Sequence, residues 1–487
     1  MSTPAAPVHD EPAGEHLSRG LSNRHLQLIA IGGTIGTGLF MGSGKTISVA
    51  GPSVILVYAI IGFFLYFVLR AMGELLLSNL NYKSFADFAG DILGPWASYF
   101  VGWTYWFCWI ATAIADTTAI AKYIQYWWPD TPSWIPAVGL VALLFLLNLP
   151  SVKAFGELEF WFALIKVLAI ITLIVVGLYM IFTGSSHGGQ KSSFSNLWSH
   201  GGIFPMGFMG FAAGFQIAVF AFVGVELVGT AAAETKDPEK NLPRAVNSVP
   251  IRMLLFYVGA LVILMSVRPW TEFKAGESPF VKMFALAGLA AAAGVVNFVV
   301  MTSAASSANS GIYSTSRMVY GLAEENDAPR VFSRLSRNRV PVASLALSCG
   351  LLLLIGLPLL GASGSVADAF DKITTVSAIC FMFVWTIILI SYVVYRRRRP
   401  HLHEASTFKM PGGVVMCYAT MAFFVFVLWT LWIKDDTRQA LLWTPLWFVI
   451  LLAAYFLIVR RRPAHEQLRA EHAAKVEREN AEVTRRS

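Results

Sequence analysis

The chain has 487 residues, 56% of them hydrophobic and only 14% charged, with a net charge of +8. A soluble domain has too little polar surface to cover that much apolar material, so a soluble globular enzyme is excluded and an all-α polytopic membrane protein is expected. The first 24 residues include His9, Asp10, Glu11, Glu15 and His16 and lack the charged start and apolar core of a cleaved leader, so they read as a cytoplasmic tail. Residues 25–460 read as one membrane domain and 461–487 as a second cytoplasmic tail, polar and without legible chemistry.

Twelve apolar windows of roughly 18 or more residues follow, each long enough to cross a hydrocarbon core of about 30 Å. They lie near 25–46, 53–73, 97–127, 134–150, 158–182, 207–231, 251–268, 288–316, 342–361, 371–395, 414–433 and 442–459. Lys and Arg fall mostly in the segments that this order places with the N-terminus, most densely at Arg396–Arg399, Arg330–Arg339 and Arg460–Arg462. Positive charge resists translocation, so both termini are expected in the cytoplasm, and the basic balance needs no nucleic-acid partner. The connections near 183–206, 232–250 and 317–341 are too short for a separate domain.

The first window is broken by glycine: Ile31–Gly44 holds six of them. Each interior glycine costs a helix about 1 kcal/mol against alanine, and freed backbone groups at membrane depth are tolerated only where they line a cavity. The sixth window repeats the pattern at Gly207, Gly210, Gly214, Gly224 and Gly229 and adds a carboxylate, Glu226. Interrupted helices at matching positions of two halves point to a secondary transporter with a site near the midplane, in a five-plus-five inverted repeat with two extra helices outside it. Close helix packing through small residues would give the same spacing.

The turn Ile35-Gly36-Thr37-Gly38 would expose N–H groups at the positive end of a half-helix, which suits a carboxylate. Free carbonyls near Phe220 and Val223 would suit an ammonium, so a zwitterion fits both ends. Lys166 sits among apolar residues of the fifth window, where a charge costs at least about 3 kcal/mol. It either faces the bundle interior with a conformation-dependent charge or snorkels to the interface. Glu226 reads as the other intramembrane ionisable group, functional or permanently paired. The eighth window, Thr302–Arg317, is dense in hydroxyls; it lines a wet path or packs tightly, with Asn309 and Ser306 the candidate lining residues. The aromatic run Trp103–Trp109 either walls a pocket or forms an interfacial belt. Cys108, Cys349, Cys380 and Cys417 show no metal-ligand spacing and read as buried thiols. No nucleophile triad, phosphate loop or metal constellation appears, so neither catalysis nor a cofactor is expected.

Leu21–Gly33, Gly36–Phe40, Arg70–Leu75, Gly224–Glu226, Ala233–Lys240 and Ser306–Ser310 together resemble the amino acid–polyamine–organocation superfamily, in its bacterial amino acid transporter branch. The resemblance covers about residues 20–460 and implies a LeuT-like core in a bacterial inner membrane. It implies that Thr37 and Gly38 hold the substrate carboxylate, that the carbonyls of Phe220 and Val223 meet the amino group, and that Phe222 caps the pocket. It also implies that Lys166 stands where sodium-coupled relatives bind a sodium ion, so the expected partners are a small amino acid, a proton and the bilayer. Arg399–Glu404 and Asp435–Leu441 resemble a subgroup handling glycine, alanine and serine, D-forms included. A permease for proline, GABA or aromatic amino acids, a proton-independent exchanger and a non-transporting sensor are the rival readings; oligomeric state is not legible.

Overall fold

The computed structural model describes residues 35–150, 152–187, 190–232, 237–286, 290–362 and 366–486. The expected N-terminal tail and the first half of the first window, with Gly32 and Gly33, lie outside the described residues. Among the described residues, eight stretches are long and apolar enough to cross a membrane, beginning with Gly42–Ser78 and ending with Asp435–Val459. The chain is therefore an all-α polytopic membrane protein, as its composition requires.

Helices α1 (Thr37–Phe40) and α2 (Gly42–Ala50) precede α3 (Val54–Ser78). Next come α4 (Phe85–Leu93), α5 (Pro95–Ile124), α6 (Trp134–Leu147) and α7 (Val152–Thr183). The second interrupted segment contributes α8 (Gly207–Ala218) and α9 (Leu227–Ala232). Helix α10 (Pro238–Met253) runs through a π segment at Leu254–Gly259 into α11 (Ala260–Val267). The connection expected over 232–250 is thus helical from Pro238 onward, because Pro at the first helical position starts a helix rather than breaking one. After α12 (Pro279–Leu286) come α13 (Ala290–Glu324), α14 (Val342–Ala362) and α15 (Val366–Arg398). The last elements are α16 (Pro400–Ala405), α17 (Gly413–Thr430), α18 (Asp435–Ala454) and α19 (Pro463–Arg486).

Helix α5 is the centre of the bundle, packed along both α13 and α15. The approach to α13 is close because Gly311 presents no Cβ; one would lie 2.3 Å from Cε3 of Trp109. The aromatic run on α5 serves helix packing in two directions. Tyr105 and Trp109 are fully buried against Phe381 of α15, while Phe107 stacks on Trp447 of α18. All four cysteines are buried thiols.

The C-terminal segment, read from sequence as featureless, is a helix tied to the membrane domain. Ser84 caps α4 by accepting from the Ala86 N–H at 3.1 Å, and Gly94, with φ +115°, ends it before Pro95 opens α5. This places Asp91 where Tyr82 Oη donates to it at 2.5 Å, Arg399 Nη1 at 2.7 Å, and Lys475 of α19 bonds its other oxygen. Arg399 also holds Glu479 of α19 at 2.9 Å. Burial works against the Asp91 charge, but the bonds from Lys475, Tyr82 and Arg399 win and bring its carboxyl down to about 2. A depressed carboxyl adds stability that is complete above its unfolded value, near 3.9, and lost as pH falls through the folded one. Docking of α19 should therefore be constant above about pH 4 and lost towards pH 2. Asp91→Asn should release the helix at neutral pH, read as a lengthened distance between spin labels on α4 and α19.

Candidate functional site

The two glycine-broken segments cross each other backbone to backbone. Gly36 is extended and Thr37–Phe40 forms one short turn of helix, so the N–H groups of Gly36, Thr37 and Gly38 donate to no acceptor among the described residues. Opposite them, α8 gives way to a 3₁₀ turn at Val219–Phe222; Val223 turns extended in ψ, and Gly224 takes φ +95°, which a side chain would oppose. The Phe220 carbonyl accepts the Val223 N–H at 3.1 Å, and the Val223 carbonyl accepts from no donor among the described residues. A Cβ on Gly38 would lie 2.5 Å from Cα of Ala221 and 2.8 Å from its nitrogen. The neighbour is backbone and cannot swing away. Gly38→Ala is expected to impair uptake and Gly38→Val to abolish it while insertion persists, checked by surface labelling beside transport of labelled substrate.

Ile35, Thr37, Phe220, Phe222 and Val223 are all at most 5% exposed, so the site is sealed in this conformation. Polar clusters close both ends of the bundle. On one side Lys45 of α2 bonds Asp371 of α15 at 2.7 Å and also Asp436 of α18. On the other, Glu74 of α3, itself fully buried, holds His403 Nδ1 at 2.5 Å, Tyr392 Oη at 2.9 Å and the Met410 N–H at 2.7 Å. Phe222 stacks on Tyr257 of the π segment, with centroids 5.1 Å apart, and lies 5.5 Å from the Tyr58 ring. Tyr257 Oη in turn donates to the Ala221 carbonyl at 2.9 Å, fixing the second broken segment from behind.

Besides Glu74 at the end of the bundle, two further buried carboxylates, Asp116 and Glu159, join Glu226 in its interior. Asp116 of α5 accepts from Thr37 Oγ1 at 2.6 Å, and its other oxygen is buried without a partner among the described residues. Glu159 of α7 accepts from Ser306 Oγ at 2.7 Å and Asn309 Nδ2 at 2.8 Å. Glu226 is therefore not the only other ionisable group at membrane depth. The signal for Asp116 is an acid inside an apolar window, which is itself a functional flag. Glu159 stands at the edge of a window taken to start at 158, whereas the helix begins at Val152 and places it two turns inside.

Lys166 is 1% exposed, which rules out snorkelling. It lies two turns from Glu159 on the same face of α7, and Glu159 and Asp116 are the charges acting on its ammonium. Glu226 takes the Gly224 N–H at 3.2 Å beside the kink; its second oxygen is buried without a strict partner among the described residues. The hydroxyl-rich face of α13 binds these parts together. Ser303 Oγ donates to the Ile35 carbonyl at 2.9 Å, and Ser306 and Asn309 hold Glu159. Asn148 Nδ2 donates to Asn309 Oδ1 at 2.8 Å, so protein groups occupy the Asn309 amide here.

The sequence comparisons agree with this architecture. The Amino acid permease family profile matches residues 25–468. The chain is 63% identical over 454 residues to the D-serine/D-alanine/glycine transporter of Escherichia coli K12, covering 93% of this chain and 96% of that one. It is 52% identical to the amino-acid permease AapA of Bacillus subtilis, covering 92% and 96% of the two chains. To the probable threonine/serine transporter YbxG of the same organism it is 42% identical, covering 95% and 100%. These relatives are transporters rather than enzymes, and the chain belongs to the amino acid permease family.

Proposed function

We propose that this transporter imports small zwitterionic amino acids, glycine, D-alanine and D-serine among them, across a bacterial inner membrane, driven by protons. The crossing of the two broken helices carries the reading: N–H groups at Gly36–Gly38 and the Val223 carbonyl, without partners among the described residues, meet at the two ends a zwitterion needs. The name of the E. coli relative supports the substrate class, and the confined aromatic surroundings of Phe220 and Phe222 fit small side chains.

A twelve-helix, five-plus-five inverted repeat accounts for the packing pattern, and the Lys and Arg distribution favours cytoplasmic termini. Helix α5 meets α15 as α13 meets α7, and α5 meets α14 as α13 meets α6. Such pairing is what exchange of two related halves produces.

Proton coupling rests on the sealed trio of Lys166, Glu159 and Asp116. Two carboxylates and one ammonium carry one excess negative charge, and an unpaired buried charge is strongly destabilising, so the trio has reason to bind one proton when closed. Thr37 connects Asp116 to the carboxylate end of the substrate site, which links proton and substrate occupancy.

Counterflow in proteoliposomes with labelled D- and L-amino acids tests the reading. Glycine, D-alanine and D-serine should compete, and tryptophan and arginine should not. Exclusion of D-alanine and glycine together with competition by tryptophan would overturn the substrate class. Uptake that needs preloaded amino acid and ignores a pH gradient would establish exchange instead, and binding without flux a sensor.

A further inference from the structure

The geometry points to a binding site for one anionic phospholipid on the outside of the bundle, far from the transport path. A groove of about 710 Å³ runs between α5, α15 and α18, open to the outside of the bundle. Phe100, Phe383, Phe448 and Phe456 line it, and Arg460 and Arg469 stand at its mouth. Its floor is the contact of Phe383 with Phe448, with ring centroids 4.8 Å apart.

Length and charge both select the occupant. From Phe448 to Arg460 is twelve residues of nearly continuous helix, about 18 Å at 1.5 Å per residue. One leaflet contributes about 15 Å of hydrocarbon, so an acyl chain lying on the floor puts its headgroup phosphate level with the arginines. The π segment Tyr455–Val459 directly precedes Arg460, whose guanidinium carbon lies 5.2 Å from the Phe456 ring centroid. Arg469 reaches the same mouth from α19, through which the docked tail helps form the site.

Both arginines are exposed, and neither has a carboxylate partner among the described residues. Neighbouring Arg462, by contrast, is spent on the Asn326 carbonyl at 2.6 Å. Two free guanidiniums at headgroup depth above an apolar trough are complementary to a phosphate on an acyl tail, and two such charges favour an anionic over a zwitterionic headgroup by about 30-fold.

Native mass spectrometry of the full chain, purified in detergent and titrated with phosphatidylglycerol or phosphatidylcholine, tests this. One phosphatidylglycerol should be retained at concentrations where phosphatidylcholine is lost. Arg460→Gln with Arg469→Gln should remove that preference without changing the melting temperature. Val449→Trp, which fills the trough, should weaken retention of both lipids, and sn-glycerol 1-phosphate, having the phosphate but no chain, should not displace the bound lipid. Equal retention of the two lipids by the unaltered chain, or an undiminished preference in the double glutamine variant, would overturn the proposal. Displacement by glycerol phosphate alone would also overturn it, by establishing a phosphate site rather than a lipid site.

Discussion

Lys166→Ala is expected to abolish accumulation driven by an inward proton gradient while leaving exchange of substrate across the membrane measurable. One proton crossing 100 mV is worth about 2.3 kcal/mol and each pH unit about 1.36, together roughly 3.7 kcal/mol or several-hundred-fold accumulation. That ratio should fall to about one in the variant. Removal of the ammonium leaves Glu159 and Asp116 buried without the positive charge that acts on both, so each fills with a proton and no single proton remains linked to the transport cycle. Lys166→Arg should be no better. Its planar fork would bond both carboxylates and hold both charged, and it cannot release a proton itself. Proteoliposomes with an internal pH dye provide the measurement. A substrate-induced proton influx that survives Lys166→Ala would remove the lysine from the coupling step and leave Glu226, beside the kink, as the carboxylate to alter next.

The interrupted helices were legible because glycine in an apolar window has few explanations, and the same logic isolated Lys166 and Glu226. Position along a helix was less legible than residue type. Glu159 stands at the apparent edge of its window because the helix begins six residues earlier, whereas Asp116, a single acid in an apolar window, carries the same signal as Glu226. The serine-rich stretch of α13 could be read as lining or as packing. It does neither alone, since its hydroxyls hold the Ile35 carbonyl and the Glu159 carboxylate, partners that are distant in sequence. Tail docking was illegible for the same reason. Lys475 and Glu479 look like ordinary surface charges until Asp91 and Arg399 are brought to them by the fold.

Glu159→Gln is expected to separate coupling from transport more cleanly than any change at Lys166. The glutamine has nearly the same shape and its oxygen can still accept from Ser306 or Asn309, so the bracket between α7 and α13 should hold. What changes is the charge. With Glu159 neutral, Lys166 and Asp116 balance each other at every stage of the cycle, and the excess negative charge that draws a proton into the closed site is gone. Counterflow should remain within a few-fold of the unaltered protein, while accumulation under a pH gradient should drop towards unity. Asp116→Asn should remove the same charge but also disturb its bond to Thr37 at 2.6 Å, so it should weaken substrate affinity as well as coupling. The double variant removes both carboxylates that act on the buried Lys166 ammonium, a loss of about 3–5 kcal/mol, and should be recovered poorly with a lowered melting temperature in detergent. A full complement of protons carried per substrate by Glu159→Gln would refute its place in the trio, because a charge-balanced lysine and aspartate have no reason to take one up.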